Sequence, residues 1–184
     1  MDDEHTMPPF VYLLRPDDAA PDENLVVKHR LADGRTALLA YTALDRVGRL
    51  CGPHQPWILA RTEELAAFAP YDVLVIDQPT TPTASAQSQD VTPAGRPTVP
   101  PVVYLPVRPG ERSGTPEVRT LKDGRLALLA YTALDRLGTS CGERQPWVAV
   151  ETPRLDEVKR RNHYDVVVFD MVVPEQYRRE GRIA

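Results

Sequence analysis

The apolar residues in the second half of the chain fall into short runs separated by turn residues. Val102 to Val107 is one such run, closed by Arg108-Pro109-Gly110, and it predicts a strand running into a turn. Glu117 to Leu121 and Arg125 to Tyr131 flank Lys122-Asp123-Gly124. An Asp-Gly pair between two such runs predicts a β-hairpin, because Gly supplies the positive φ of a tight turn. Ala127-Leu128-Leu129-Ala130 is rich in helix formers, but its place in the hairpin favours a strand. Thr132, followed three residues later by Asp135, reads as a capping box that starts a short helix ending near Gly142. Trp147 to Val150 is a further strand. Thr152-Pro153 then supplies an N-cap and a first-position proline for a second helix, with Leu155 and Val158 on one face. Asp165 to Met171 closes this half on a nearly continuous apolar run, the pattern expected of a strand buried on both faces. The order is β-β-β-α-β-α-β.

The first half carries the same pattern because it carries nearly the same residues. Asp33-Gly34-Arg35-Thr36-Ala37-Leu38-Leu39-Ala40-Tyr41-Thr42-Ala43-Leu44-Asp45-Arg46 recurs as Asp123-Gly124-Arg125-Leu126-Ala127-Leu128-Leu129-Ala130-Tyr131-Thr132-Ala133-Leu134-Asp135-Arg136. Cys51-Gly52 and Gln55-Pro56-Trp57 match Cys141-Gly142 and Gln145-Pro146-Trp147 in the same register. After a shift of three residues, Tyr71-Asp72-Val73-Leu74-Val75-Ile76-Asp77 matches Tyr164-Asp165-Val166-Val167-Val168-Phe169-Asp170. Val11-Tyr12-Leu13 opens the first copy as Val103-Tyr104-Leu105 opens the second, and the helix expected from Thr62 turns Leu65 and Phe68 inward. The expected organisation is a tail at 1–9, a first repeat at 10–78, a linker at 79–101, a second repeat at 102–174 and a tail at 175–184. The linker is rich in Pro, Thr and Ser and too poor in large apolar side chains to repay the entropy of ordering. The fold class expected is α/β (α+β): two tandem copies of one small unit, each a mixed sheet with helices packed on it.

The motif Asp-Gly-Arg, Ala-Leu-Leu-Ala-Tyr-Thr-Ala-Leu-Asp-Arg, Cys-Gly and Gln-Pro-Trp, followed by Tyr-Asp and the apolar strand ending in Asp, resembles the SseB N-terminal-domain-like proteins of actinobacteria, named for enhanced serine sensitivity. The resemblance covers both repeats but neither the linker nor the tails. It implies a compact mixed α/β domain, cytoplasmic and often duplicated, and it brings no catalytic residues to carry over. Pro53-His54 in the first copy stands where the second has Glu143-Arg144.

Composition narrows the function. A hydrophobic content of 42% supplies a core, yet no stretch approaches the run of about 20 apolar residues that a membrane span needs. The acidic start Met1-Asp2-Asp3-Glu4-His5 is unlike a secretory signal, so the expected compartment is the cytoplasm. A formal net charge of −4 argues against nucleic acid or an anionic membrane as partner. The basic residues are overwhelmingly Arg, with only Lys28, Lys122 and Lys159 as lysines, a bias of GC-rich bacterial genomes that says nothing about function. Cys51 and Cys141, at equivalent positions, are expected as small apolar side chains without a disulfide.

The candidate chemistry lies in Tyr41, Asp45, Arg46, Cys51 and Trp57, with counterparts Tyr131, Asp135, Arg136, Cys141 and Trp147. An Arg fork and a Trp wall at a helix start would suit an anion or a partner's carboxylate, which makes Asp45, Arg46, Trp57, Asp135, Arg136 and Trp147 the candidate ligand or partner residues. The competing account has Asp capping the helix, Arg pairing with it or a neighbouring acid, and Tyr and Trp filling the core. Cys51 and His54 could be half of a metal site, but the second copy has Arg144 in place of His54, so no metal and no cofactor is expected. Asp72 and Asp77, like Asp165 and Asp170, bracket a strand, where carboxylates either bind Mg²⁺ or, more commonly, cap the following turns. The basic tail of Arg178, Arg179 and Arg182 reads as a solvated end. The expected function is a noncatalytic protein-interaction or regulatory module with a protein partner, its two repeats packed through equivalent faces. A small-ligand sensor, for an amino acid or another anionic metabolite, is the alternative. An enzyme ranks third, since no nucleophile, base and orienting group can be assembled from residues present in both copies.

Overall fold

The computed structural model describes residues 7–19, 25–80, 99–108, 114–175 and Arg178. Most of the expected linker, the acidic N-terminus, Pro109-Gly110 and the last residues of the C-terminal tail lie outside the described residues. The chain divides into two compact units, Met1–Thr98 and Val99–Ala184, each of mixed strands and helices.

In the first unit the elements are β1 (Phe10–Leu14), β2 (Lys28–Arg30), β3 (Thr36–Tyr41), α1 (Leu44–Cys51), β4 (Trp57–Arg61), a 3₁₀ segment (Thr62–Phe68) and β5 (Val73–Ile76). The apolar run of β3 lies at the centre. One of its edges takes β5 in parallel, from Ala37↔Val73 to Ala40↔Ile76. The other is shared by β2, through Lys28↔Leu38, and β1, through Tyr12↔Tyr41, both antiparallel. β4 then pairs with the far side of β1. Alternate residues of a strand face opposite ways, so the sheet builds two cores. Tyr12, Leu14, Ala37, Leu39 and Tyr41 pack with Val47 of α1 on one face, while Val11, Leu13, Leu38 and Ala40 pack with Leu65 of the 3₁₀ segment on the other.

The second unit comprises β6 (Val102–Pro106), β7 (Val118–Thr120), β8 (Leu126–Ala130), α2 (Leu134–Cys141), β9 (Trp147–Glu151), a 3₁₀ turn (Thr152–Arg154) leading into α3 (Leu155–Arg161), and β10 (Val166–Phe169). β8 holds β10 in parallel and β7 antiparallel, and a bridge between Tyr104 and Tyr131 joins it to β6, which carries β9. Leu137 and Cys141 of α2 pack on the face of Tyr104, Leu129 and Tyr131, and Leu155 and Val158 of α3 on that of Val103, Leu105, Leu128 and Ala130. The element order read from the sequence is observed in the second unit; in the first, the helix expected from Thr62 is instead a 3₁₀ segment, Thr62–Phe68.

The hairpin expected at Asp123-Gly124 joins β7 to β8. Gly124 takes φ +86°, the Leu121 carbonyl accepts its N–H at 3.0 Å, and Leu121 N–H donates to Arg125 O at 2.8 Å. The hydrogen bond from the Arg125 side chain holds the Asp123 carboxyl below its ordinary range.

Three local expectations are corrected. Ala43 and Ala133, not the neighbouring threonines, occupy the N-caps of α1 and α2, and no side chain caps either helix. Thr152 does not cap the helical segment that follows it; its hydroxyl donates to the Pro100 carbonyl, as that of Thr62 does to Pro8. The closing strand is buried less fully than expected: β5 packs on both cores, Val73 and Val75 on one and Leu74 and Ile76 on the other, yet every one of its residues is only half-buried, and Phe169 of β10 is 38% exposed. The reason is position at the sheet edge: among the described residues β5 and β10 each have one strand neighbour. No helix of the described residues is long and apolar enough to cross a membrane.

Candidate functional site

The C-terminal ends of the parallel strands β3 and β5 meet the start of α1, the place where α/β sheets commonly take ligands. Here the position is filled by the protein's own carboxylate. Asp77 follows β5 at φ 51° and turns back to β3, accepting Thr42 N–H at 2.9 Å through Oδ1 and the Thr42 hydroxyl at 2.6 Å through Oδ2. Arg46, one turn into α1, donates through Nη1 to Asp77 Oδ2 at 2.6 Å and to Thr42 Oγ1. The second unit repeats this clasp. Asp170, also at φ 51°, accepts Thr132 N–H at 2.8 Å, the Thr132 hydroxyl at 2.6 Å and Arg136 Nη1 at 3.1 Å. At the other end of each parallel pair, Asp72 Oδ2 accepts Thr36 N–H at 2.6 Å and Asp165 Oδ2 accepts Leu126 N–H at 2.7 Å. The four aspartates thus bind the ends of neighbouring strands together, and the turn-capping role expected of them is corrected accordingly.

Each of the six candidate residues has a definite place. Arg46 and Arg136 enter the clasps. Asp45 lies on the exposed side of the first turn of α1, 3.6 Å from Arg49, and Asp135 is likewise exposed on α2. Arg46 pairs with Asp77, thirty-one residues away. The two tryptophans open β4 and β9. Trp57 meets the Tyr12 ring edge-on at 5.3 Å, and Trp147 meets Tyr104 at 5.6 Å while remaining 37% exposed. Sequence reasoning noted Asp77 and Asp170 but missed the part they play with Thr42 and Thr132; the available signal was an Asp closing the apolar strand in both copies.

Beside each clasp lies a buried tyrosine. Tyr131 donates to the Met171 carbonyl at 2.6 Å and accepts from Cys141 Sγ at 3.1 Å; Tyr41 donates to the Gln78 carbonyl at 2.8 Å. Burial pushes both phenols far above their usual range, and it also raises the Cys141 thiol, the opposite of what an activated thiolate requires. Cys51 and Cys141 are free thiols. Among the described residues no cluster of three or more His, Cys, Asp or Glu side chains is placed to hold a metal.

Burial also moves the Tyr104 phenol from 10.0 to about 12. A folded-state pKa above the unfolded one stabilises fully below the unfolded value and is lost as pH rises through the folded one. The second unit is therefore expected to hold its stability up to about pH 10 and lose it towards pH 12. An alkaline titration following tyrosinate absorbance together with Trp147 emission, in a Trp57→Phe background, checks this. Ionisation of every tyrosine near pH 10 with the fold intact would contradict it.

A cleft of about 430 Å³ lies between β9 and α3, with Val148, Val150, Arg154, Glu157, Val158 and Arg161 among its lining residues. Neither Arg136 nor Trp147 lines it. Its sequence signal is the three-residue shift between the copies, which accompanies a 3₁₀ segment in the first unit and the helix α3, with its basic end, in the second. No family model, curated protein or solved structure matches this chain.

Proposed function

We propose that the chain is a noncatalytic cytoplasmic protein-interaction or regulatory module, built from two homologous repeats of the SseB-like kind. The observation that carries this reading is the internal use of the polar side chains common to both halves. Arg46, Thr42 and Asp77, and Arg136, Thr132 and Asp170, are joined to one another across the ends of strands. An anionic metabolite seeking either Arg would first have to displace a carboxylate already bound to it, which weighs against the small-ligand sensor. Surface is left for recognition, and the outer strands β4 and β9 place an aromatic and apolar edge there.

The test is purification of the tagged full-length chain from its native cytoplasm, with mass spectrometry of both proteins and small molecules. A stoichiometric protein partner retained by the Arg46→Ala, Arg136→Ala double variant is expected. A bound metabolite without a protein, lost in that variant, would overturn the reading in favour of the sensor.

A further inference from the structure

β9 is an edge strand: among the described residues it pairs with β6 alone. Its ladder fixes which backbone groups are committed. Val107 N–H donates to the Pro146 carbonyl and Thr152 N–H to the Pro101 carbonyl, both at 2.8 Å. Alternation along an antiparallel pair then turns the backbone of Val148 and Val150 towards β6 and directs the N–H and C=O of Trp147 and Ala149 off the free edge. Trp147 and Val148 are 37% and 38% exposed there.

The cleft against α3 adjoins this edge, and its charge differs from that of the chain as a whole. Arg154 and Arg161 line the cleft against Glu157, on a chain of formal net charge −4, while Lys159, Arg160 and Asp156 border a separate hollow on α3. Arg154 lies 3.3 Å from Glu157, an exposed pair of little energetic weight, and Arg161 lines the same cleft. The segment Thr62–Phe68, which follows β4 in the first unit, has Glu63 and Glu64 and no basic residue, so the cationic character belongs to the second unit.

We infer that the free edge of β9 takes an extended, carboxylate-bearing peptide segment of another protein, adding it as a further strand with its acidic side chains against Arg154 and Arg161. The inference rests on the interaction-module reading and names the chemistry of the partner. Main-chain hydrogen bonds to Trp147 and Ala149 supply the affinity, and the basic wall of α3 supplies selectivity for acidic sequences.

The experiment displays a random-sequence peptide library against the full-length chain and measures affinities of the selected peptides. Selection of Asp- and Glu-bearing peptides is expected, with binding that weakens as salt rises. Ala149→Pro, which removes an outward N–H and leaves the β6 ladder its bonds, should weaken them about tenfold or more. Arg154→Glu with Arg161→Glu, exposed changes that spare the core, should shift selection towards basic peptides. Failure to select any peptide, selection without acidic bias, or selected peptides indifferent to the charge reversal would each overturn the inference. So would concentration-dependent self-association in sedimentation that Ala149→Pro abolishes, since that would assign the edge to a second copy. A protein that still copurifies with the chain while these tests fail would remove the edge site and leave the interaction-module reading standing.

Discussion

Asp170→Ala is expected to destabilise the second unit by about 3 kcal/mol, whereas Asp135→Ala, in the same clasp-bearing region but on the exposed face of α2, should change it by less than about 0.5 kcal/mol. Three bonds to the Asp170 carboxylate disappear together, from Thr132 N–H, the Thr132 hydroxyl and Arg136. The half-buried Arg136 guanidinium also loses the Asp170 carboxylate, and alanine is strained at φ 51° where Asp is tolerated. Asp170→Asn separates these contributions: it keeps the tolerance for positive φ and one acceptor oxygen but removes the charge, and about half the loss is expected. The two tryptophans lie one in each unit, so urea unfolding followed by Trp147 emission in a Trp57→Phe background reads the second unit alone. Equal losses from Asp135→Ala and Asp170→Ala would show that the helix start, and not the strand-end clasp, holds this region.

That contrast marks the limit of what the sequence discloses. The hairpin at Asp123-Gly124 was legible because its cause is local: a glycine at φ +86° between two apolar runs. The order of elements followed from similar short-range signals. The clasp was not legible, because Thr132 and Asp170 are thirty-eight residues apart while Thr132 and Asp135 stand at capping-box spacing. A local pattern with an adequate local explanation hid a long-range bond that won, the strand-end carboxylate offering acceptors to both the backbone and the hydroxyl of Thr132. The repeat gave one usable hint, since Asp closes the last apolar strand in both copies. The cleft beside β9 is a different case. It depends on where α3 crosses the sheet, which no spacing within α3 encodes.

Burial was misread for a related reason. Val166-Val167-Val168-Phe169 is a nearly continuous apolar run and reads as a fully buried strand, yet it lies at the sheet edge, while β8 holds the centre with strands along both of its edges. Leu128 of β8 is fully buried among Val103, Leu105 and Ala130, under Leu155 and Val158 of α3. Leu128→Ala is therefore expected to cost about 3–4 kcal/mol, the lost transfer of the side chain plus the cavity it leaves. Phe169→Ala removes a larger side chain but one already 38% exposed, and about 1 kcal/mol is expected. A unit of this size commands only about 4–10 kcal/mol in total, so the first variant should lower the urea midpoint of Trp147 emission severely and the second only slightly. The reverse ranking would place β10, and not β8, at the energetic centre. With the expected ranking, the apolar run of β10 serves as the covered edge of a sheet, and the modest Ala-Leu-Leu-Ala of β8 is the strand on which both helical layers depend.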